Sequence, residues 1–202
     1  MTTFKALESS KDEDQNTLSI IEKNIDDLPD GDILIKVSYS SLNYKDALSA
    51  SGSPGVTKNY PHTPGIDAVG HVQESSDSAF KEGDVVIVTG YDLGMNTAGG
   101  FGQYIRVPAH WAIKLPNGLN EVEAMSLGTA GLTAGLSIQA LEKYSSTIGF
   151  EGSKSIVTGS TGGVGSIAVM LLSKLESEVT AVTGKNTQKS FLENLGASEV
   201  IS

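Results

Sequence analysis

The chain has 202 residues, no cysteine and a formal net charge of −10 at pH 7. The lack of cysteine excludes disulfides, thiolate zinc sites, iron–sulfur clusters and a cysteine nucleophile. The acidic balance argues against binding to nucleic acid or to an anionic membrane surface, because both require clustered Lys and Arg. The N-terminus is acidic and has no apolar signal-peptide core, so we expect a soluble, cytoplasmic protein.

The first part of the chain predicts short β-strands separated by turns. Strand-like mixtures of β-branched and aromatic residues occur in DILIKVSYSSL, GIDAVGHVQE and GDVVIVTGY. A glycine-rich loop, MNTAGGFGQ, then leads into a strand that ends at Pro108. Short strands at this spacing favour a β-barrel or a distorted sandwich. We predict that residues 1–120 form this first domain.

The pattern changes to a helical period after residue 120. Apolar residues recur at helical intervals in LNEVEAMSLGTAGLTAGLSIQALEKY, where several glycines interrupt them. A strand in SKSIVTGS, a helix in GGVGSIAVMLLSKL, a strand in SEVTAVTG and a helix in TQKSFLENLGA follow, the last closed by Gly196. Alternating strands and helices favour a parallel α/β sheet, so residues 121–202 are predicted as the first part of a Rossmann-type domain.

A glycine-rich turn joins the first strand of this region to its helix. Glycines recur in VTGSTGGVGSIAV as G-x-x-G-x-x-G, and the strict G-x-G-x-x-G frame is broken by a serine. Such a turn lets the backbone approach a pyrophosphate, and the helix N-terminus offers free N–H groups to the anion. The predicted cofactor-binding residues are Gly159, Ser160, Gly162, Gly163, Val164 and Gly165. The alternative is a tight strand–helix turn that binds no ligand.

The end of the following strand predicts which dinucleotide is bound. An NAD-binding chain usually has Asp or Glu there for the ribose 2′-hydroxyl, whereas this chain has Thr183, Gly184 and Lys185. A hydroxyl, a bare backbone and a lysine suit a 2′-phosphate, because a phosphate beside lysine gains charge-assisted hydrogen bonds. We therefore predict NADPH (NADP), with Thr183 and Ser160 assisting Lys185. For Lys185 alone, a solvated loop lysine is the alternative.

The order of these segments resembles the medium-chain dehydrogenase/reductase superfamily. Within it, YSSLNYKDALSASG, PGIDAVG, GDVVIVTGYDLG, GGFGQYIRVPAHW and LGASEVIS are similar to the quinone oxidoreductase and acrylyl-CoA reductase family of the YhdH/YhfP type. The resemblance implies a GroES-like β-barrel domain packed on a Rossmann domain. A complete domain of that kind has about six parallel strands. We therefore expect a truncated Rossmann domain, with little or no reductase activity from these residues alone.

The resemblance also implies a metal-free site. Zinc-dependent members of the superfamily carry Cys at the position of Asn43 and His at the position of Ile66, so neither ligand is present. The chain's histidines, His62, His71 and His110, are scattered without ligand spacing, which favours surface or strand histidines over metal ligands.

Without a Lewis acid, the expected substrates are already electrophilic. A quinone, or a C=C conjugated to a carbonyl or thioester, accepts hydride directly from NADPH. By resemblance, Asn43 positions substrate or ribose and Tyr44 donates a hydrogen bond or proton to the developing anion. The alternatives are a helix cap for Asn43 and packing for Tyr44. Thr129, in GTAGLTA, contacts the nicotinamide half by resemblance, or hydrogen-bonds back to its own turn.

Four further residues are expected to have structural roles. Lys45 and Asp46 are expected to pair with each other or to face solvent. Asp67 is expected to anchor the adjacent loop, with a catalytic role as the alternative. Trp111 is expected to pack in the core or between domains, with stacking on a substrate as the alternative.

The expected function is an NADPH-dependent, metal-independent reductase of a small electrophilic substrate. We expect the full-length protein to be a homodimer, and the acidic charge gives no expectation of a nucleic-acid or membrane partner. The alternatives are a nucleotide-binding or regulatory relative without turnover, or an inactive fragment.

Overall fold

The computed structural model describes residues 2–12, 15–144 and 149–201. The chain divides into two compact units, of which the first ends at Thr129 and the second begins at Ala130. The sequence pattern had placed the boundary after residue 120. No helix within the described ranges is long and apolar enough to span a membrane.

The first unit begins with an antiparallel hairpin of two ten-residue strands, β1 (Thr3–Asp12) and β2 (Gln15–Asn24). Phe4 and Ala6 of β1 are buried, whereas Leu18 and Ile20 of β2 are 54% and 66% exposed. The sequence analysis did not identify this hairpin, because its few buried side chains do not produce a clear alternating pattern. A short 3-10 turn, Ile25–Asp27, follows it.

Five antiparallel strands form the main sheet of the first unit. In chain order they are β3 (Ile33–Tyr39), β4 (Asp67–Ser75), β5 (Val85–Thr89), β6 (Tyr104–Val107) and β7 (Ala112–Lys114). Their order across the sheet is β6-β3-β4-β5-β7. Alternate side chains of these strands make the apolar core, including Ile33, Ile35, Val72, Val86, Val88 and Ile105. The predicted β-rich first domain is confirmed.

Two helices follow strands of this sheet. Helix α1 (Tyr44–Ala50) follows β3, and a 3-10 turn, Ala109–Trp111, precedes β7. Helix α2 (Glu121–Tyr144) bends at Gly128, whose φ of 46° and ψ of −149° are not helical. Of the glycines that interrupt the predicted helix, Gly128 therefore breaks it.

The second unit contains a parallel three-stranded sheet in the order β10-β9-β8. Its elements are β8 (Lys154–Thr158), α3 (Gly163–Lys174), β9 (Glu178–Val182), the 3-10 turn Asn186–Gln188, α4 (Lys189–Asn194) and β10 (Glu199–Ile201). Its core combines residues of the sheet and both helices: Val157, Val169, Leu172, Val179, Ala181 and Leu192. The predicted strand–turn–helix–strand opening of a Rossmann-type domain is confirmed.

Candidate functional site

A fully buried carboxylate, Asp67, collects four hydrogen-bond donors at the start of β4. Its Oδ2 accepts hydrogen bonds from Asn43 Nδ2 and from the Thr129 backbone N–H, both at 2.9 Å, and from the Ser41 hydroxyl. Its Oδ1 accepts one from the Thr129 hydroxyl at 2.7 Å. A buried charge needs this many partners because its lost hydration must be replaced. Asp67 therefore ties the segment before α1 and the bend of α2 to the sheet.

The bend in α2 depends on glycine at position 128. A positive φ is unfavourable for residues with a Cβ atom, and a Cβ at Gly128 would lie 2.7 Å from Asp67 Oδ2 and 2.9 Å from Ser41 Oγ. The bend directs the next N–H, that of Thr129, at the carboxylate. Ser41 and Gly128 are not predicted from the sequence, although Gly128, the first glycine of GTAG, is a local signal for a break in the helix.

A second carboxylate, Asp46, lies beside this cluster and is only 2% exposed. It accepts hydrogen bonds from the N–H groups of Asn43 at 2.7 Å and Ile66 at 2.8 Å. Burial raises the pKa of Asp46 above its ordinary value, against the effect of these bonds, and the nearby Asp67 raises it further. The expectation that Asp46 pairs with Lys45 or faces solvent is wrong, because its side chain turns inward to cap α1.

The two predicted catalytic residues are adjacent in sequence but differ in environment. Asn43 is half-buried, and its Nδ2 donates to Asp67 and, at 3.1 Å, to Ser41 Oγ. Both amide hydrogens are therefore used inside the first unit. Tyr44 is 80% exposed, so its ring is not packed within that unit. Thr129 uses its hydroxyl to bind Asp67.

The two positions that the resemblance aligns with zinc ligands hold an amide, Asn43, and a buried aliphatic side chain, Ile66. Elsewhere, His62 is buried in a loop and His71 contacts Glu121 at 3.3 Å. Within the part of the chain that the structure describes, no three His, Cys, Asp or Glu residues are arranged to hold a metal ion.

In the second unit, the glycine turn leaves open space at the start of α3. Gly159 has a φ of 62°, and a Cβ at Gly165 would collide with the Gly159 carbonyl, so the helix starts close against the turn. Gly162, Gly163 and Val164 are exposed. The first N–H groups of a helix have no intrahelical acceptor, so this cradle fits a pyrophosphate. The turn opens on a groove of about 510 Å³ lined also by Ile138, Ile156 and Leu172.

The environment of Ser160 does not fit its predicted role as a phosphate ligand. It is fully buried, and its hydroxyl donates to the Val157 carbonyl at 2.6 Å and accepts from the Val182 N–H at 3.0 Å. These bonds join the end of β8 to β9. The predicted contact between Ser160 and a phosphate is therefore wrong. Ser160 instead holds the two strands together.

The residues that follow β9 form a short loop that is partly exposed to solvent. The Thr183 hydroxyl accepts a hydrogen bond from the Lys185 N–H at 3.1 Å, which closes a tight loop. Thr183 is buried, while Gly184 and Lys185 are exposed. The lysine side chain thus extends from a short loop at the carboxyl end of the sheet, where open α/β sheets bind their ligands.

An antiparallel β domain joined to a parallel unit with a glycine turn is the architecture of a medium-chain dehydrogenase/reductase. The family model "Alcohol dehydrogenase GroES-like domain" matches residues 29–117. Acrylyl-CoA reductase AcuI of Ruegeria pomeroyi is 41% identical over 201 residues, which cover 98% of this chain and 60% of the relative.

Two solved structures are similar over the same extent. The yhdH oxidoreductase of Salmonella enterica in complex with NADP has a TM-score of 0.94 and 40% identity, covering 98% of this chain and 60% of the relative. The yhfP protein of Bacillus subtilis with NAD bound has a TM-score of 0.94 and 45% identity, covering 100% and 61%. Over this extent the chain is similar to quinone oxidoreductase and acrylyl-CoA reductase members of this superfamily. It spans about 60% of the length of these relatives.

Proposed function

We propose that this protein is an NADPH-dependent reductase that delivers hydride to a quinone or to a C=C conjugated with a carbonyl or thioester. The observation that carries the proposal is the open glycine cradle of α3, combined with a β9 end that has Lys185 and no carboxylate. NADP in the Salmonella relative and the name of the Ruegeria enzyme support it. NAD in the Bacillus relative makes the cofactor preference a point for direct measurement.

The proposed cofactor-binding residues of the second unit contribute backbone groups and one cation. The exposed start of α3, at Gly163 and Val164, offers N–H groups to the pyrophosphate, whereas the Gly162 N–H donates to the Gly159 carbonyl at 2.9 Å. Lys185 offers charge-assisted hydrogen bonds to the 2′-phosphate, and the Thr183 hydroxyl holds the lysine's backbone in place. NADPH, when bound, supplies the hydride.

On the acceptor side, Asn43 and Tyr44 have different roles. Both hydrogens of the Asn43 amide point to Asp67 and Ser41, so Asn43 can face a ligand only with its oxygen, as an acceptor for a ribose or substrate hydroxyl. The exposed Tyr44 hydroxyl is the donor for the anion that develops on the acceptor. Asp67 acts as a positioning residue, because it sets the orientation of the Asn43 amide.

A binding experiment tests the cofactor site first. We expect Gly162→Val to abolish NADPH binding in a calorimetric titration, because a branched side chain would occupy the exposed cradle. Gly55→Val is the matched control, since nothing lies within 4 Å of a Cβ at that glycine. Normal NADPH binding by Gly162→Val would show that the pyrophosphate lies elsewhere.

A turnover experiment tests the reaction. NADPH oxidation is followed with acryloyl-CoA and with 1,4-benzoquinone, on this chain and on a chimera extended with the remaining C-terminal residues of the Salmonella relative. We expect turnover by the extended protein, little by the 202 residues alone, and a clear loss with Tyr44→Phe. A cofactor-loaded extended protein that reduces neither acceptor would instead support a binding protein without turnover.

A cytoplasmic location and a homodimeric assembly belong to the same proposal and are supported by the family resemblance. Light scattering coupled to gel filtration tests the assembly.

A further inference from the structure

An exposed tyrosine ring is held rigidly on the surface of the first unit. The Tyr91 ring stacks on the Trp111 indole, with centroids 5.2 Å apart and planes within 6°. Its hydroxyl donates to the His110 carbonyl at 3.0 Å, and the His110 ring meets it at 90°. Tyr91 is nevertheless 59% exposed. The three contacts fix the ring in position while much of its surface remains open.

The backbone at Tyr91 adopts an unfavourable conformation to present this ring. Its φ is 53°, a left-handed value that is a genuine outlier for a bulky residue. Such conformations persist only where surrounding contacts impose them, and they cluster at ligand-binding and catalytic positions. The geometry therefore points to a ligand for this ring.

Strand register places Trp111, on which the Tyr91 ring stacks, at the same end of the sheet as Asp67. Asp67 of β4 lies opposite Thr89 of β5, and Val88 of β5 lies opposite Ala112 of β7. Trp111, directly before Ala112, therefore lies beside Thr89. Because adjacent strands are about 4.8 Å apart, the Trp111 backbone stands roughly 10 Å across the sheet from the Asp67 backbone.

The loop that carries Tyr91 also packs on the segment that leads into β4. The Gly99 N–H donates to the Thr63 carbonyl and the Gly100 N–H to the Gly65 carbonyl, both at 2.8 Å. The loop between β5 and β6 is thus attached to the backbone just before Asp67.

We propose that Tyr91 and Trp111 form a ring-binding surface of the acceptor site, and that this surface selects a quinone over an acyclic enoyl thioester. The inference rests on the proposed function and names its substrate class. Tyrosine and tryptophan faces carry negative quadrupole charge, which complements a planar ring depleted of electrons by two carbonyls. An acryloyl group has no ring to stack.

The chain's single tryptophan makes the test direct, because all indole fluorescence comes from Trp111. The intact chain, without NADPH, is titrated with 1,4-naphthoquinone and corrected for absorption. We expect saturable quenching in the wild type. Tyr91→Gly removes the ring and relieves the positive φ, so it should fold and weaken the apparent affinity roughly five-fold, as expected for loss of one stacking contact. Tyr91→Phe keeps the ring and should bind like the wild type.

Three results would overturn the inference: purely linear, collisional quenching of the wild type; equal affinity of Tyr91→Gly and wild type; or quenching by coenzyme A with none by the quinone. Tyr144→Gly, at an 84% exposed tyrosine of the second unit, is the control and should change nothing. NADPH binding is measured separately, so a failed cofactor site is distinguished from a failed ring surface.

Discussion

Thr129 donates two hydrogen bonds to Asp67, from its N–H to Oδ2 at 2.9 Å and from its hydroxyl to Oδ1 at 2.7 Å. The two residues are 62 positions apart in the chain. The two hydrogen bonds hold the bend of α2 against Asp67, the first residue of β4. Since Asn43 also donates to this carboxylate, the same contact helps to hold a proposed catalytic residue.

We predict that Thr129→Val lowers the free energy of unfolding by about 1.5–3 kcal/mol, the usual range for a hydrogen bond to a charged group. The substitution removes the hydroxyl that Asp67 Oδ1 accepts and leaves the backbone bond intact. Urea denaturation measures the change. Thr129→Ser retains the hydroxyl and should lose much less. Equal losses for the two variants would show that the hydroxyl bond is not what stabilises the bend.

Gly128→Ala should destabilise the protein by about 1–3 kcal/mol, because the residue keeps a strained left-handed conformation. The added Cβ would also lie 2.7 Å from Asp67 Oδ2. Gly135 of the same helix is the matched control, since nothing lies within 4 Å of a Cβ there. Gly135→Ala should stabilise by about 0.5–1 kcal/mol. Thermal unfolding of both variants compares them, and a neutral Gly128→Ala would contradict the bend as described.

Ser160→Ala should affect stability and leave cofactor preference unchanged. Its buried hydroxyl bonds to Val157 and Val182, so its loss should cost about 1–3 kcal/mol by leaving buried polar groups unpaired. Denaturation gives the stability, and titrations with NADPH and NADH give the preference. A selective loss of NADPH affinity at unchanged stability would restore the phosphate contact that the sequence alone suggested for Ser160.

Acidification should destabilise the protein through His62. Burial lowers the pKa of His62, and Lys23 lowers it further, while Gly94 and Asp92 act in the opposite direction. The unfolded chain therefore binds this proton more readily, so stability is lost as the pH falls below about 6.5.

The measurement is the urea midpoint of wild type and His62→Gln between about pH 7.5 and about pH 5, the range in which histidine titrates. The wild type should lose more stability than the variant. Asp46 acts with the opposite sign, because its raised pKa lets the folded state keep its proton. Asp46 is present in both the wild type and His62→Gln, so its contribution to the pH dependence cancels in the comparison. Identical pH profiles would rule out His62 as the source.

The parallel unit was predictable because its signals are local. Short apolar runs mark β8 at Ile156 and Val157 and β9 at Ala181 and Val182, and the glycines of VTGSTGGVG mark the turn that starts α3. Within such a segment the chain's own pattern fixes which side chains are buried. The hairpin β1–β2 lacks that pattern, since Leu18 and Ile20 of β2 face outward.

The carboxylate cluster was not predictable to the same degree. The sequence singled out Asn43, Asp67 and Thr129, but no spacing rule brings together residues so far apart in the chain. Their contact requires both the pairing of β3 with β4 and the bend at Gly128. The burial of Asp46 was missed for the same reason, because its partner Ile66 is 20 positions away.

The most direct test of the central claim is the binding of NADPH and NADH, by calorimetric titration, to the wild type and to Lys185→Ala. The proposed site predicts tighter binding of NADPH by the wild type. It also predicts that Lys185→Ala loses about 1.5–3 kcal/mol of NADPH affinity, as for a hydrogen bond to a charged group, with little change for NADH. Equal losses for both cofactors, or equal affinities in the wild type, would contradict the assignment of Lys185 to the 2′-phosphate.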